Sequence, residues 1–339
     1  MEFIYCKRCD SYIEKNDFYR YYKVESRTLG PQRTKNNQYC DDCVTKMFEC
    51  FEYNDIIIDY WDIYKFENLK NKECGKEKND INNKIRENVI GSIINSKVPT
   101  KYFRYSRRWK KLKESILKYV EEISGIKNPY KMECIHKGGR KFNYDFIFII
   151  NELRFNVEFK YNAKSVSSAP QFVSPMKPSQ YLSSSYEEFY YDNYIDELFE
   201  CARCDIPDKE TYLKQVHSTN PKCVNELKRK YKSVDKIYSK ANELCKSSIN
   251  IFISKNELNI EKLTEYLIST QQKKNYMLYT NDRFINKSID MDDYILTSYT
   301  KEPNKYRFVA TTKTNKKIKI LLRWKNGNGI AFPAFQISC

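Results

Sequence analysis

The chain has 339 residues and is 15 % aromatic, with 29 Tyr and 19 Phe, enough apolar surface for packed cores in about two or three domains. Sixty Lys and Arg against 44 Asp and Glu leave a net charge of +16, which favours a polyanionic partner, although heavy use of Lys, Asn, Ile and Tyr also follows from AT-rich coding. Only two His are present, His136 and His217, which excludes sites needing several close imidazoles, and no stretch approaches the roughly 20 apolar residues of a membrane span.

The N-terminus, MEFIYCKRC, has no basic segment followed by an apolar one, so no secretory signal is expected. The expected compartment is intracellular and reducing, cytoplasm or nucleus, where paired Cys favour metal over disulfide. Residues 1–66 read as a zinc module. Cys6-x₂-Cys9 and Cys40-x₂-Cys43 each fit one edge of a tetrahedral Zn²⁺ site, with a ribbon or treble-clef-like hairpin containing Gly30-Pro31 between them. Such a module lacks a core without its metal. The alternative is reduced surface thiols. Lys7, Arg8 and Arg20 are its candidate contacts with nucleic acid, scaffolding alone being the other role.

Residues 51–66 are apolar and aromatic and suit either a helix or a core strand, and 67–80 read as a charged linker. A helix is expected from Asp80, with Ile81, Ile85 and Val89 four apart. The clearest helix is 106–124, where Trp109, Leu112, Ile116, Tyr119, Val120 and Ile123 form one stripe. Ser106 caps its start, and Gly125 stands where a left-handed residue ends a helix. Strands are expected at 131–137, 142–150 and 153–162, with Gly138 and Gly139 allowing a tight turn into the second. Residues 164–185 read as a loop and 186–245 as mostly helical. The tail from 250 combines a helix near 260–270 with strands near 306–312 and 317–324.

The segment FNYDFIFIINELRFNVEFKYN carries the chemistry. With Asn151-Glu152 as a two-residue turn, Ile150 faces Leu153, and counting outward sets Asp145 opposite Glu158. Lys160, two residues on, shares their face. Phe146, Phe148, Ile150, Leu153, Phe155, Val157 and Phe159 form a continuous core face, while Arg154 and Asn156 join the carboxylates. Directly opposed carboxylates, with Cβ atoms about 4.5–5.5 Å apart, repel one another. A hard cation such as Mg²⁺, bound at about 2.0–2.1 Å, turns that repulsion into binding. Metal and Lys together suit phosphodiester hydrolysis. The alternative is an exposed face whose charges coincide by chance.

Helix, strand, then a hairpin with Asp and Glu-x-Lys resembles the PD-(D/E)xK, or restriction-endonuclease-like, nuclease superfamily. The resemblance covers residues 105–175. It implies that Asp145 and Glu158 ligate Mg²⁺ or Mn²⁺ and that Lys160 assists the attacking water. Tyr144 stands where the motif has Pro. The family's additional helix Glu maps best to Glu114, for which a solvated helix charge is the alternative, and its downstream Gln maps to Gln171. The implied fold is α+β or α/β: a restriction-endonuclease-like core at 80–185, a mixed sheet flanked by helices, between the zinc module and C-terminal α+β additions at 186–250 and 251–339.

Cys201-x₂-Cys204, His217 and Cys223 form a candidate second zinc site, with Cys245 a rival ligand and a surface His in a polar loop the alternative. In the tail, KIKIL reads as an edge strand with Lys toward solvent. Arg323, Trp324 and Lys325 are candidate nucleic-acid contacts, with Trp324 either stacking or packing.

The expected activity is that of a metal-dependent DNA endonuclease acting on duplex DNA, of the site-specific kind found in viruses and mobile elements. One site per chain cutting both strands favours a homodimer. A non-catalytic, zinc-containing DNA-binding or packaging protein on the same fold is the alternative, and a zinc-scaffolded adaptor for protein partners is a third. Ionic strength separates the last, because DNA affinity falls steeply with salt.

Overall fold

A computed structural model describes residues 3–6, 10–14, 49–60, 62–67, 76–137, 142–166, 177–218, 221–233, 235–325 and 332–339. The chain divides into two units, residues 1–164 with 275–287, and residues 165–274 with 288–339. The second unit's first segment is thus inserted between two strands of the first. The tail expected as one region at 251–339 is split, and residues 275–287 return to the sheet of the expected core.

The first unit opens with an antiparallel hairpin, β1 (Phe3–Cys6) and β2 (Ser11–Glu14). The 51–66 segment, open between helix and strand in the sequence, contains both: a hairpin of β3 (Phe51–Tyr53) and β4 (Ile56–Ile58), then helix α1 (Asp62–Glu67). Helices α2 (Lys76–Ile94), α3 (Thr100–Tyr105) and α4 (Arg107–Ser124) follow. The Ser106 hydroxyl accepts from the Trp109 N–H at 3.2 Å, and Gly125 ends α4 at φ 69°. Trp109, Leu112, Ile116, Tyr119 and Val120 are buried on one face, as the spacing predicts. Each such side chain contributes about 1.5–3 kcal/mol on burial.

Strands β5 (Met132–His136), β6 (Phe146–Ile150), β7 (Leu153–Tyr161), β8 (Asn275–Thr280) and β9 (Arg283–Lys287) lie in that order in a five-stranded sheet flanked by helices. The sheet is mixed: β7 and β8 are parallel, and the other neighbours are antiparallel. Three of the unit's hairpins turn on pairs of positive-φ residues that begin with Asn: Asn54-Asp55, Asn151-Glu152 and Asn281-Asp282. This is the geometry that lets a two-residue turn follow the twist of its strands. Ile150 pairs with Leu153 and Phe146 with Val157, so the expected register holds. Phe146, Phe148, Ile150, Val157 and Phe159 join the core, but Leu153 is 51 % exposed. The expected continuous apolar face therefore ends at the turn, where Leu153 is largely left to solvent.

The second unit has helices α5 (Tyr186–Ala202), α6 (Lys209–Gln215), α7 (Asn225–Ser233), α8 (Asp235–Lys255) and α9 (Ile260–Gln271). Its antiparallel sheet runs β10 (Leu296–Glu302), β11 (Arg307–Thr312), β12 (Lys317–Trp324) and β13 (Pro333–Ser338). The KIKIL segment is in β12, an interior strand and not the expected edge. Its alternation holds: Ile318, Ile320, Leu322 and Trp324 are buried among Tyr186, Phe252 and Leu263, and Lys317 is exposed. Among the described residues, no helix is long and apolar enough to cross a membrane.

Candidate active site

The site grows from the end of the β6–β7 hairpin. The Asp145 N–H donates to the Val157 carbonyl at 3.0 Å, and the Asp145 carbonyl accepts from Lys137 N–H at 2.7 Å. The Asp145 carboxylate accepts from the Phe159 N–H at 2.8 Å. That acceptor fixes the side chain beside the C-terminal part of β7. Glu158, only 8 % exposed, receives a hydrogen bond from Lys160. The paired register stops at Phe146 and Val157, short of the expected Asp145–Glu158 pair, and Asp145 instead reaches Glu158 and Lys160 from just outside β6 through its bonds to Val157 and Phe159.

Helix α2 adds a fourth group, Glu87. Glu87, Gly91 and Asn95 succeed one another on one side of the helix, four residues apart. Asn95 fastens that side to β5: its amide donates to the Cys134 carbonyl at 2.9 Å and its carbonyl accepts from the Cys134 N–H at 2.7 Å. Gly91 lets the helix approach closely, because a Cβ there would lie 2.3 Å from His136 Nε2 and 2.8 Å from the Tyr53 hydroxyl. One turn earlier, Glu87 comes under the charges of Asp145, Glu158 and Lys160.

The electrostatics follow from this crowding. Burial, then the charges of Asp145 and Glu158, push the Glu87 carboxyl up to about 7. Burial opposes the Lys160 ammonium, but Glu158, Asp145 and Glu87 outweigh it and hold that group above its ordinary value. Three carboxyls and one ammonium leave an excess of negative charge in a poorly hydrated place, and the donors are hard oxygens. Hard oxygen donors are what a small divalent cation takes, and Asp145, Glu158 and Glu87 are the groups that would have to draw closer to hold one. Among the described residues no three His, Cys, Asp or Glu side chains are arranged as a ready-made metal cage, and Lys160 is the cation that Glu158 holds. Next to the site, burial lowers His136 to about 4, so its ring is neutral at ordinary pH.

Several expected residues fall elsewhere. Glu114 lies on the exposed side of α4, opposite the Leu112–Ile116 stripe, and pairs with Lys110 at 4.0 Å. It takes no part in the cluster, whereas Glu87 lies among these charges. Trp324 is 1 % exposed and donates to the Tyr186 hydroxyl at 2.9 Å, so it packs and does not stack on a nucleic acid. Burial lowers the Arg323 guanidinium, and Lys325 lies over the Phe332 ring. The second zinc cluster is not assembled: His217 bonds the Glu187 carboxylate at 2.6 Å, the Cys204 thiol donates to the Ala202 carbonyl, and the Cys223 N–H donates to the Gln215 side chain. The rival Cys245 is buried in the apolar core, which pushes its thiol upward. Cys6 is buried at the end of β1. Lys7, Arg8, Cys9, Arg20, Gly30, Pro31, Cys40, Cys43, Gly138, Gly139 and Gln171 lie outside the described residues. No family model matches the chain, and neither curated proteins nor solved structures include a significant match.

Proposed function

We propose that the protein is a metal-dependent endonuclease that hydrolyses phosphodiester bonds in duplex DNA. The reading rests on one observation: Glu87 from α2, Asp145 from the segment before β6, and Glu158 and Lys160 from β7 converge. The helix, strand and hairpin order on which the PD-(D/E)xK resemblance rests is also that of the first unit, which favours a restriction-endonuclease-like core.

A divalent ion bound by the carboxylates would activate water and stabilise the charge that develops on phosphorus. The chain's own groups supply the rest. Lys160 stays protonated and offers a positive charge to a phosphate oxygen. Glu87, pushed up by burial and by Asp145 and Glu158, would give up its proton once an ion offset that crowding and would serve as a third oxygen donor. The Phe159 N–H keeps the Asp145 carboxylate oriented. Zinc on Cys6, Cys9, Cys40 and Cys43 remains part of the proposal as a structural metal, and a homodimer is its form for double-strand cutting.

Plasmid cleavage tests this reading, with Mg²⁺ or Mn²⁺, EDTA as control, and Asp145→Asn, Lys160→Ala and Glu87→Gln beside the wild type. Nicking or linearisation by the wild type, reduced by roughly 10²–10⁴-fold in each variant, is expected. Variants that cut like the wild type would refute the site. Binding without cutting by every chain would favour the non-catalytic DNA-binding alternative.

A further inference from the structure

A second surface calls for a partner. Between residues 101 and 118 the chain carries Lys101, Arg104, Arg107, Arg108, Lys110, Lys111, Lys113 and Lys118 against one acid, Glu114. This short stretch, α3 and the first three turns of α4, thus holds seven of the sixteen net positive charges. Its acids are too few to pair it. Arg108 reaches Glu67 at 3.2 Å, Lys101 is 3.9 Å from Glu49, and Lys110 is 4.0 Å from Glu114. Lys113 lies over the Phe103 ring. Arg104, Arg107, Lys111 and Lys118 are exposed and lie beyond ion-pair distance of any acid among the described residues, although the charge of Lys111 also acts on Glu67.

The charge is placed against the helix's own interest. Helix α4 has no acid in its first turn and no base in its last. Its cations crowd the positive end of the macrodipole, and Glu121 and Glu122 sit at the negative end. An arrangement that weakens the helix in isolation is compensated when a polyanion covers it. The Ser106 hydroxyl already serves the Trp109 N–H, so the side chains form the surface, not the helix terminus. The patch belongs to the same unit as the candidate site, and Arg108 pairs with Glu67, whose charge acts on Tyr161 on the core face of β7.

We infer that α3 and the first half of α4 form the phosphate-backbone docking surface for duplex DNA, reading charge and not sequence. This rests on the nuclease reading for its choice of polyanion. Arginine and lysine side chains that neutralise phosphates displace condensed counterions, so each neutralised phosphate steepens the salt dependence of binding.

The test uses the full-length chain carrying Arg104→Gln, Arg107→Gln and Lys111→Gln together, with fluorescence anisotropy on a 20–30 base-pair duplex in EDTA, from 50 to 200 mM salt. The variant should bind at least tenfold more weakly at the low-salt end. Its slope of log affinity against log salt should shrink by about two to three, near 0.9 for each phosphate that is no longer neutralised. Its melting temperature should equal or exceed the wild type's, because unfavourable charge has left the helix N-terminus. Equal affinity and slope in variant and wild type would overturn the assignment while leaving the nuclease reading intact. A wild type that neither binds nor cuts DNA would overturn both. Loss of binding to vesicles containing one-third phosphatidylserine, with DNA binding unchanged, would reassign the patch to an anionic membrane surface.

Discussion

Glu87→Gln separates the cost of the carboxylate cluster from its use. The Glu87 carboxyl is held at about 7 against an ordinary value of 4.5. At roughly 1.4 kcal/mol per pH unit, that gap corresponds to about 3 kcal/mol. A raised carboxyl binds its proton more tightly in the folded chain, so its contribution to stability is full below about 4.5, declines as pH rises, and is gone above about 7. The Gln variant keeps the shape and cannot ionise. It should melt with the wild type at pH 4 and above it at pH 8, by roughly 6–12 °C in a unit of this size. Adding Mg²⁺ at pH 8 should raise the wild type's melting temperature more than the variant's, because the ion relieves repulsion that the variant lacks. Differential scanning fluorimetry of both proteins from pH 4 to 8 makes the comparison. A difference in melting temperature that stays constant across that range would refute the electrostatic account of the site.

Gly91→Ala should cost about 1–3 kcal/mol by overpacking against His136 and Tyr53, read by chemical denaturation, and should reduce cleavage by displacing α2 and Glu87. Trp324→Ala should cost about 3–5 kcal/mol, while DNA affinity measured well below the melting transition stays unchanged, because the indole is buried in the second unit. The His136 ring, lowered to about 4, should show no titration between pH 5.5 and 8 in an NMR experiment that follows the chain's two imidazoles, and neutral His136 should contribute stability that is lost as pH falls from about 6.5 toward 4.

The sequence alone determined the local elements whose causes are local. Ser106, the Trp109–Val120 stripe and Gly125 delimit α4 because capping, burial and left-handed φ are short-range requirements. Strict alternation with a two-residue turn fixed the β6–β7 register, which stops short of the expected Asp145–Glu158 pair. The same signal was present at Asn54-Asp55 and Asn281-Asp282, where short apolar runs around an Asn-led turn mark hairpins. Periodicity also stated that Trp324 shares a face with Ile320 and Leu322, but not that α5 covers that face. Only the tertiary structure showed that Glu87, and not Glu114, lies among Asp145, Glu158 and Lys160, because that depends on which helix face meets the sheet. The glutamate, glycine and asparagine at 87, 91 and 95 gain meaning only once β5 lies against them. That β8 and β9 belong beside β7 was likewise a long-range decision: residues 165–274 intervene, and pairing across such a separation is set by the whole unit's burial, not by any window of sequence.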